Sequence, residues 1–182
     1  DEREGGSGGV TVNLDQGFAI DGFGATDTLL NIERAQGTRF DDVFVDDDNY
    51  NWFRGFAGAD SYDGGAGGGF VQFGFQDEVR GAFVNLGAGV AVDGFGDTDS
   101  LTNIRDVSGS RFDDVLIGTD GDNYFEGWEG ADRFDGLGGT FDRVAYVWED
   151  GEAGITADLA AGTVIDTFGE TDTLANIEVI QG

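Results

Sequence analysis

Apolar residues recur along this chain at intervals of two and of nine, and no 3.6-residue period persists for the length of a helix. Val10, Val12 and Leu14 alternate with polar neighbours, a turn follows at Asp15-Gln16-Gly17, and Phe18-Ala19-Ile20 resumes before a polar loop from Asp21 to Asp27. Alternation bounded by Gly and Asp predicts short strands. Further on, Phe44, Phe53 and Tyr62 lie nine apart, as do Leu116, Phe125 and Phe134, which predicts that these six face inward and form the core. Polar residues keep the same beat two positions earlier, at Asp42, Asn51 and Asp60 and again at Asp114, Asn123 and Asp132. Glycines mark it at Gly55 and Gly64, then at Gly118, Gly127 and Gly136. Leu29, Ile32 and Ala35 have a spacing of three that one helical turn would also give; a strand with a bend is expected there.

A longer repeat encloses the short one. Val12-Asn13-Leu14 returns as Val84-Asn85-Leu86 and again as Ala157-Asp158-Leu159. Arg39-Phe40-Asp41-Asp42-Val43 likewise meets Arg111-Phe112-Asp113-Asp114-Val115, at the same 72-residue period. The units run from about 9 to 80, 81 to 153 and 154 to 182, the third incomplete. Two beats of nine leave room for two short strands and two turns, so a 72-residue unit is expected to make four coils. Strands of about three residues are too short to stand alone and must stack on neighbouring coils. The expected fold is all-β: a right-handed parallel β-roll or β-helix solenoid, one elongated domain over residues 1–182.

Charge narrows the function. The chain has 37 acidic and 9 basic side chains, all nine arginine, for a formal charge of -28. Nucleic acid is excluded as a partner, because backbone binding needs a cationic face. There is no Cys, His, Met, Pro or Lys, which removes zinc clusters, disulfides, Ser-His triads and Schiff-base chemistry. A glycosidase built from carboxylates alone needs one pair about 5–10 Å apart in a cleft. Here acidic pairs recur in every unit, so no catalytic residue is assigned and a polysaccharide-active enzyme is the least favoured reading. No apolar run approaches the ~18 residues of a membrane span, and Asp1-Glu2-Arg3-Glu4 is unlike a secretory signal. Lacking an initiator methionine, the sequence is expected to be a segment of a longer chain.

Two segments carry a more specific signal. Gly55-Phe56-Ala57-Gly58-Ala59-Asp60-Ser61-Tyr62-Asp63 and Gly127-Trp128-Glu129-Gly130-Ala131-Asp132-Arg133-Phe134-Asp135 read G-x-x-G-x-D-x-U-x, one glycine short of the RTX nonapeptide G-G-x-G-x-D-x-U-x. With Val10-Thr11-Val12-Asn13-Leu14, Thr26-Asp27-Thr28-Leu29 and Gly109-Ser110-Arg111-Phe112-Asp113-Asp114 around them, the chain resembles the RTX, or haemolysin-type, calcium-binding repeat proteins exported by type I secretion. The resemblance implies Ca²⁺ as cofactor, a secreted or cell-surface location, and a folding module that is disordered without calcium and orders outside the cell.

Calcium takes about 6–8 oxygens from carboxylates and backbone carbonyls, more than one turn offers, so in this family the ion sits between turns one coil apart. The resemblance then pairs Asp42 with Asp60 and Asp114 with Asp132, with Gly55, Ala57, Gly127 and Glu129 of the same turns completing the ligand set. Asn51 and Asn123 are the candidates on the opposite edge, where their stacking partners, Gly69 and Phe141 or Asp142, make a poorer set. The loops ending in Asp27, Asp99 and Asp172 have two readings: a calcium turn with its aspartate at the sixth position, or a glycine-enabled loop whose Thr and Asp cap the next strand. Phe40 and Phe112 stand where the pattern has its third glycine, and Phe56 and Trp128 where it has its second. These substitutions support an alternative from another class: a calcium-poor solenoid, its turns closed by aromatic packing, serving as an adhesive or protein-interaction surface. Self-association through the open solenoid ends is possible in either case.

Overall fold

The computed structural model describes residues 8–74 and 77–182. Among them are twenty strands, most of them spanning three positions, and no helix. In chain order they are β1 (Thr11–Asn13), β2 (Phe18–Ile20), β3 (Thr26–Thr28), β4 (Arg34–Gln36), β5 (Val43–Val45), β6 (Trp52–Arg54), β7 (Ser61–Asp63), β8 (Gly69–Gln72), β9 (Phe83–Asn85) and β10 (Val90–Val92). They continue as β11 (Thr98–Thr102), β12 (Ile104–Ser108), β13 (Val115–Ile117), β14 (Tyr124–Glu126), β15 (Arg133–Asp135), β16 (Arg143–Ala145), β17 (Thr156–Asp158), β18 (Thr163–Ile165), β19 (Thr171–Ala175) and β20 (Val179–Gln181).

Two beats of nine make one coil. Strands one coil apart pair in parallel, with Phe44 beside Tyr62 across β5 and β7 and Leu116 beside Phe134 across β13 and β15. Strands a single beat apart face one another in two sheets, a smaller one ordered β20-β16-β14-β12-β8-β6-β4 and a larger one described below. Between them lie the six residues expected inside: Phe44, Phe53, Leu116, Phe125 and Phe134 are wholly buried and Tyr62 nearly so. Phe44 stacks on Tyr62 with ring centroids 5.2 Å apart and meets Phe53 at 5.4 Å. Side chains alternate across each strand, so the pattern half-buried, buried, half-buried repeats in β6, β7, β13 and β14.

The expected four equal coils per unit do not form. The first part of each unit folds back on itself as an antiparallel meander: β1-β2-β3, then β9-β10-β11, then β17-β18-β19. The cause is local turn chemistry. Gly17, Gly89 and Gly162 take positive φ (69°, 70° and 67°) at the first hairpin, where Asn13 Oδ1 accepts the amide of Gln16 at 2.7 Å and Asn85 Oδ1 that of Ala88 at 2.8 Å. Such short-range closure beats pairing with a distant coil. The larger sheet therefore reads β17-β18-β19-β15-β13-β9-β10-β11-β7-β5-β1-β2-β3. The second unit contributes five strands to it (β9, β10, β11, β13, β15) and three to the smaller sheet (β12, β14, β16).

Strand order within the meander has a further effect. The chain leaves β8, steps past two strand positions to β9, and returns through β10 so that β11 lies against β7, with Leu101 opposite Tyr62. The expected bend is present: Asn31, Asn103 and Asn176 adopt φ of 54°, 54° and 52°, and in the second unit Asn103 joins β11 directly to β12.

Gly58 and Gly130 sit at φ of 116° and 119°, and a Cβ on either would lie 2.6 Å from the carbonyl carbon of Phe40 or Phe112 in the preceding coil. Gly24, at φ 87°, has open space around it. Gly24→Ala is expected to cost only the backbone strain, about 1–2 kcal/mol, and Gly130→Ala clearly more, because two coils must separate. Thermal unfolding of the two variants in calcium checks the order.

Candidate metal centre

Along the edge where the chain enters the larger sheet, aspartates stack in columns. Asp60 Oδ1 accepts the backbone amide of Asp42 at 2.8 Å, and Asp99 Oδ1 accepts that of Asp60 at 2.8 Å. The next unit repeats this with Asp132 Oδ1 on the amide of Asp114 and Asp172 Oδ1 on that of Asp132, both at 2.8 Å. All six are buried, none more than 2% exposed. The meander is what delivers Asp99 and Asp172, on β11 and β19, as the last rung of each column.

The second carboxylate oxygen divides the turns into two kinds. In Gly37–Asp42 and Gly109–Asp114 the second residue is Thr38 or Ser110, whose hydroxyl accepts the amide two positions on. Its own amide and hydroxyl then turn to the aspartate: Asp42 Oδ2 accepts the amide of Thr38 at 2.6 Å, and Asp114 Oδ2 that of Ser110 at 2.5 Å. Val10 and Ala82 donate to the other oxygens at 2.6 Å. Both carboxylates are thus satisfied by neutral donors.

In Gly55–Asp60 and Gly127–Asp132 the second residue is Phe56 or Trp128 at φ of 76° or 74°, and the fourth is a positive-φ glycine. Asp60 Oδ2 accepts the hydroxyl of Tyr62, at a long 3.3 Å. Asp132, whose counterpart of Tyr62 is Phe134, has its Oδ2 buried with no hydrogen-bond partner among the described residues. A Cβ on Gly55 or Gly127 would overlap these carboxylates, so the first glycine of each turn is required by the aspartate that closes it.

The electrostatics follow. Burial pushes the Asp132 carboxyl up to about 10, aided by the nearby Asp114 and Asp172 charges. Burial, with Asp99 and Asp42 adding to it, takes Asp60 up to about 9. Asp99 and Asp114 are raised, again chiefly by burial, to about 7, and Asp172 to about 6. A buried acceptor with nothing to accept costs free energy that a cation or a proton would relieve.

Calcium fits the donor set. Hard carboxylate and carbonyl oxygens are its ligands, and the position of a Cβ on Gly37 lies 3.0 Å from the Gly55 carbonyl oxygen and against the Asp42 carboxylate, so that carbonyl faces the preceding turn. Among the described residues no three acidic side chains converge as a carboxylate-only centre would require; backbone carbonyls must supply the balance. A family model for the RTX calcium-binding nonapeptide repeat (4 copies) matches residues 36–71 and 108–140, the segments that hold both kinds of turn. The chain carries RTX calcium-binding repeats. RTX repeats bind Ca²⁺ and are structural modules typical of secreted bacterial proteins. No curated protein matches the chain.

Within the RTX frame the sequence-derived residues separate. Asp42, Asp60 and Asp99 come together in one column and Asp114, Asp132 and Asp172 in the other. Gly55 and Gly127 open the two donor-poor turns, and Ala57 and Glu129 occupy their third positions. Asp27 stands apart, exposed on β3 at the end of the larger sheet. On the opposite edge Asn123 stacks on Asp142, whose Oδ1 accepts its amide at 2.7 Å, and Glu178 Oε2 accepts the amide of Asp142 at 3.0 Å. Asn51 is engaged locally, its side-chain amide donating to Asp46 and Asp47. Of the two readings of the Gly22–Asp27 type of loop, the structure gives a third arrangement: the capping residue is the aspartate before the loop, Asp21 Oδ1 accepting the amides of Phe23 and Ala25 at 2.9 and 2.8 Å. The aspartate after the loop joins the column in the two later units. Tyr146, which donates to Asp172 Oδ2 at 2.7 Å, had no sequence signal, because it lies outside the nonapeptide beat.

Raised aspartate pKa values set the sign of the pH response. Folded Asp60, Asp99, Asp114 and Asp132 hold protons that the unfolded chain, with an aspartate value of 3.8, has already lost. Without metal, stability is therefore greatest below about pH 4 and falls as pH rises toward the folded values of about 7–10. Asp132→Asn keeps the acceptor for the Asp114 amide but cannot ionise. In EDTA it should flatten this decline, by at most about 1.4 kcal/mol per pH unit, and be more stable than the parent at pH 8. In calcium it should be less stable. Melting curves at pH 5 and pH 8, with EDTA and with calcium, test both signs.

Proposed function

We propose that this chain is a calcium-dependent folding and presentation module of a secreted bacterial protein, exported by a type I route and ordered outside the cell. Residues 1–182 act in this reading as one solenoid segment built on 72-residue units. The observation that carries it is the buried Oδ2 of Asp132, which has no donor among the described residues, in a turn whose second residue sits at positive φ. With calcium scarce, burying Asp60 and Asp132 requires each to take up a proton that the open chain lacks at neutral pH, and a chain of charge -28 stays open. External calcium neutralises the columns. Sites of extracellular type bind at about 10⁻⁴–10⁻³ M, and a tenfold excess over Kd adds about 1.4 kcal/mol per site, so a few sites decide whether the fold forms. Asp60 and Asp132 are the principal carboxylate ligands in this reading, with Asp99, Asp172 and the carbonyls of Gly55 and Gly127 around them.

A second reading, a calcium-poor solenoid serving as an adhesive or interaction surface, draws on the first kind of turn, where Thr38 and Ser110 already satisfy Asp42 and Asp114. It also draws on the aromatic cover at Trp128, whose indole donates to Ser108 Oγ at 2.7 Å. Far-UV circular dichroism separates the two. The chain in EDTA at pH 7.5 should be largely unordered and gain a β spectrum on titration to millimolar calcium, with magnesium ineffective. A β spectrum indifferent to EDTA would sink the folding-module reading and leave the interaction surface.

A further inference from the structure

The second hairpin of each meander turns on an aspartate that lies outside the nonapeptides. Asp93 Oδ1 accepts the amides of Phe95, Gly96 and Asp97 at 3.0, 2.6 and 2.8 Å. Asp166 Oδ1, at the equivalent place in the next unit, accepts those of Phe168 and Glu170 at 2.9 and 2.8 Å. One oxygen of each is fully used by its own loop. The other, Oδ2, is buried in both with no hydrogen-bond partner among the described residues, and the two aspartates are 2% and 0% exposed.

Against these hairpins lies the segment that carries the chain from the smaller sheet into the meander. Between β16 and β17, Glu149 Oε2 accepts the amide and hydroxyl of Thr167 at 3.3 and 2.8 Å, and its Oε1 is buried with no hydrogen-bond partner among the described residues. Between β8 and β9, Glu78, 4% exposed and within electrostatic reach of Arg54, packs its Cβ and Cγ within 2.8 and 2.6 Å of where a Cβ on Gly94 would stand. Gly94 and Thr167 are equivalent positions, each directly after the hairpin aspartate. The backbones agree as well, Val79 donating to the Gly94 carbonyl and Ala153 to that of Thr167, both at 3.2 Å. At both hairpins a glutamate from the linking segment meets the hairpin aspartate's loop, Glu78 one residue before Val79 and Glu149 four before Ala153, next to the end rung of a column, Asp99 or Asp172.

We propose that the β18–β19 hairpin and the segment leading into its meander hold a second class of divalent-cation site, separate from the nonapeptide turns. Asp166 Oδ2 and Glu149 Oε1 supply its oxygens; at the β10–β11 hairpin the Arg54 charge already acts on Glu78, and no such site is assigned there. Two carboxylates, with water filling the remaining positions, suit a hard cation such as calcium. A pair of buried carboxylates is otherwise costly. Burial raises the Glu149 carboxyl to about 7, and the Asp166 charge adds to it. The ion would tie down the linking segment, which has no strand of its own between β16 and β17, and so hold the meander against the coil that follows it.

Calcium bound per chain, measured by equilibrium dialysis at pH 7.5, tests this independently of the nonapeptide sites. The Asp60→Asn/Asp132→Asn variant should still bind calcium, and adding Glu149→Gln with Asp166→Asn should lower the count by one ion. If Glu149→Gln/Asp166→Asn alone binds as many ions as the parent, and gains stability in EDTA, the two oxygens share a proton and the proposal falls. Should that variant not fold, the single Glu149→Gln, which keeps an acceptor for Thr167, is counted in the same way; an unchanged count overturns the site. A count lowered by Asp60→Asn/Asp132→Asn but not by the hairpin changes overturns it too, and leaves the nonapeptide reading standing by itself.

Discussion

The structure depends on one constraint: a carboxylate at the sixth position of each turn must accept the backbone amide of the residue one rung earlier while buried between coils. That hydrogen bond fixes the coil spacing, since the donor and acceptor come from consecutive rungs of a parallel sheet. It also dictates the glycines. The carboxylate occupies the volume where a Cβ on the first residue would stand, and the carbonyl of the preceding coil occupies that of the fourth. Each aspartate then has one oxygen still to satisfy, and the identity of the second residue decides how. Thr38 or Ser110 answers with its own amide and hydroxyl; Phe56 or Trp128, turned to positive φ, supplies no such donors, which leaves Asp60 Oδ2 a long bond from Tyr62 and Asp132 Oδ2 no hydrogen-bond partner among the described residues. The two kinds of turn alternate up each column, so carboxylates with a full set of neutral donors and carboxylates short of them are interleaved in one stack.

The meander changes what the column is made of. In a solenoid of equal coils the rung beyond Asp60 would come from another nonapeptide. Here it comes from β11, and Asp99 arrives beside Asp60 only because the chain oversteps to β9 and doubles back. The same route produces Asp172 above Asp132. Ordering of the nonapeptide columns is therefore coupled to closure of the meander, which lies outside residues 36–71 and 108–140.

Much of this was legible in the sequence. The nine-residue beat located the six core side chains, because inward-facing positions in stacked coils admit no polar substitute, and twice that beat located the Asp42/Asp60 and Asp114/Asp132 stacks. The longer period enclosing it was equally plain. The antiparallel path was not, since Val10–Ile20 alternates identically whether its strands pair with each other or with distant coils; only the turn glycines and Asn13 and Asn85 tip the balance. Nor could spacing show that Asp42 and Asp60 have different surroundings. Both occupy the sixth position, and the distinction rests on the φ of Phe56 and the hydroxyl of Thr38, which are local conformational facts. A one-residue insertion before Asp142 left the stack on Asn123 open between Phe141 and Asp142: it lengthens that coil by one position relative to the coil joining Asp42 to Asp60.

The scarce arginines complete the physical picture, because four of them gather on the smaller sheet. Its outward column runs Arg34, Trp52, Phe70, Asp106, Tyr124 and Arg143 in register. The guanidinium of Arg54 lies 4.9 Å from the Trp52 ring, and that of Arg143 lies 4.8 Å from the Tyr124 ring. Arg105 packs over Tyr50 at 5.4 Å. Contacts of this kind contribute about 0.5–2 kcal/mol each and need neither metal nor a particular carboxylate protonation state. The smaller sheet is thus stitched by cation–π contacts, while the edge entering the larger sheet is stitched by carboxylates that require a proton or an ion. In the proposed folding-module reading calcium would act on that edge, and the division of labour between the two sheets would make folding responsive to an external cation without making every coil depend on one.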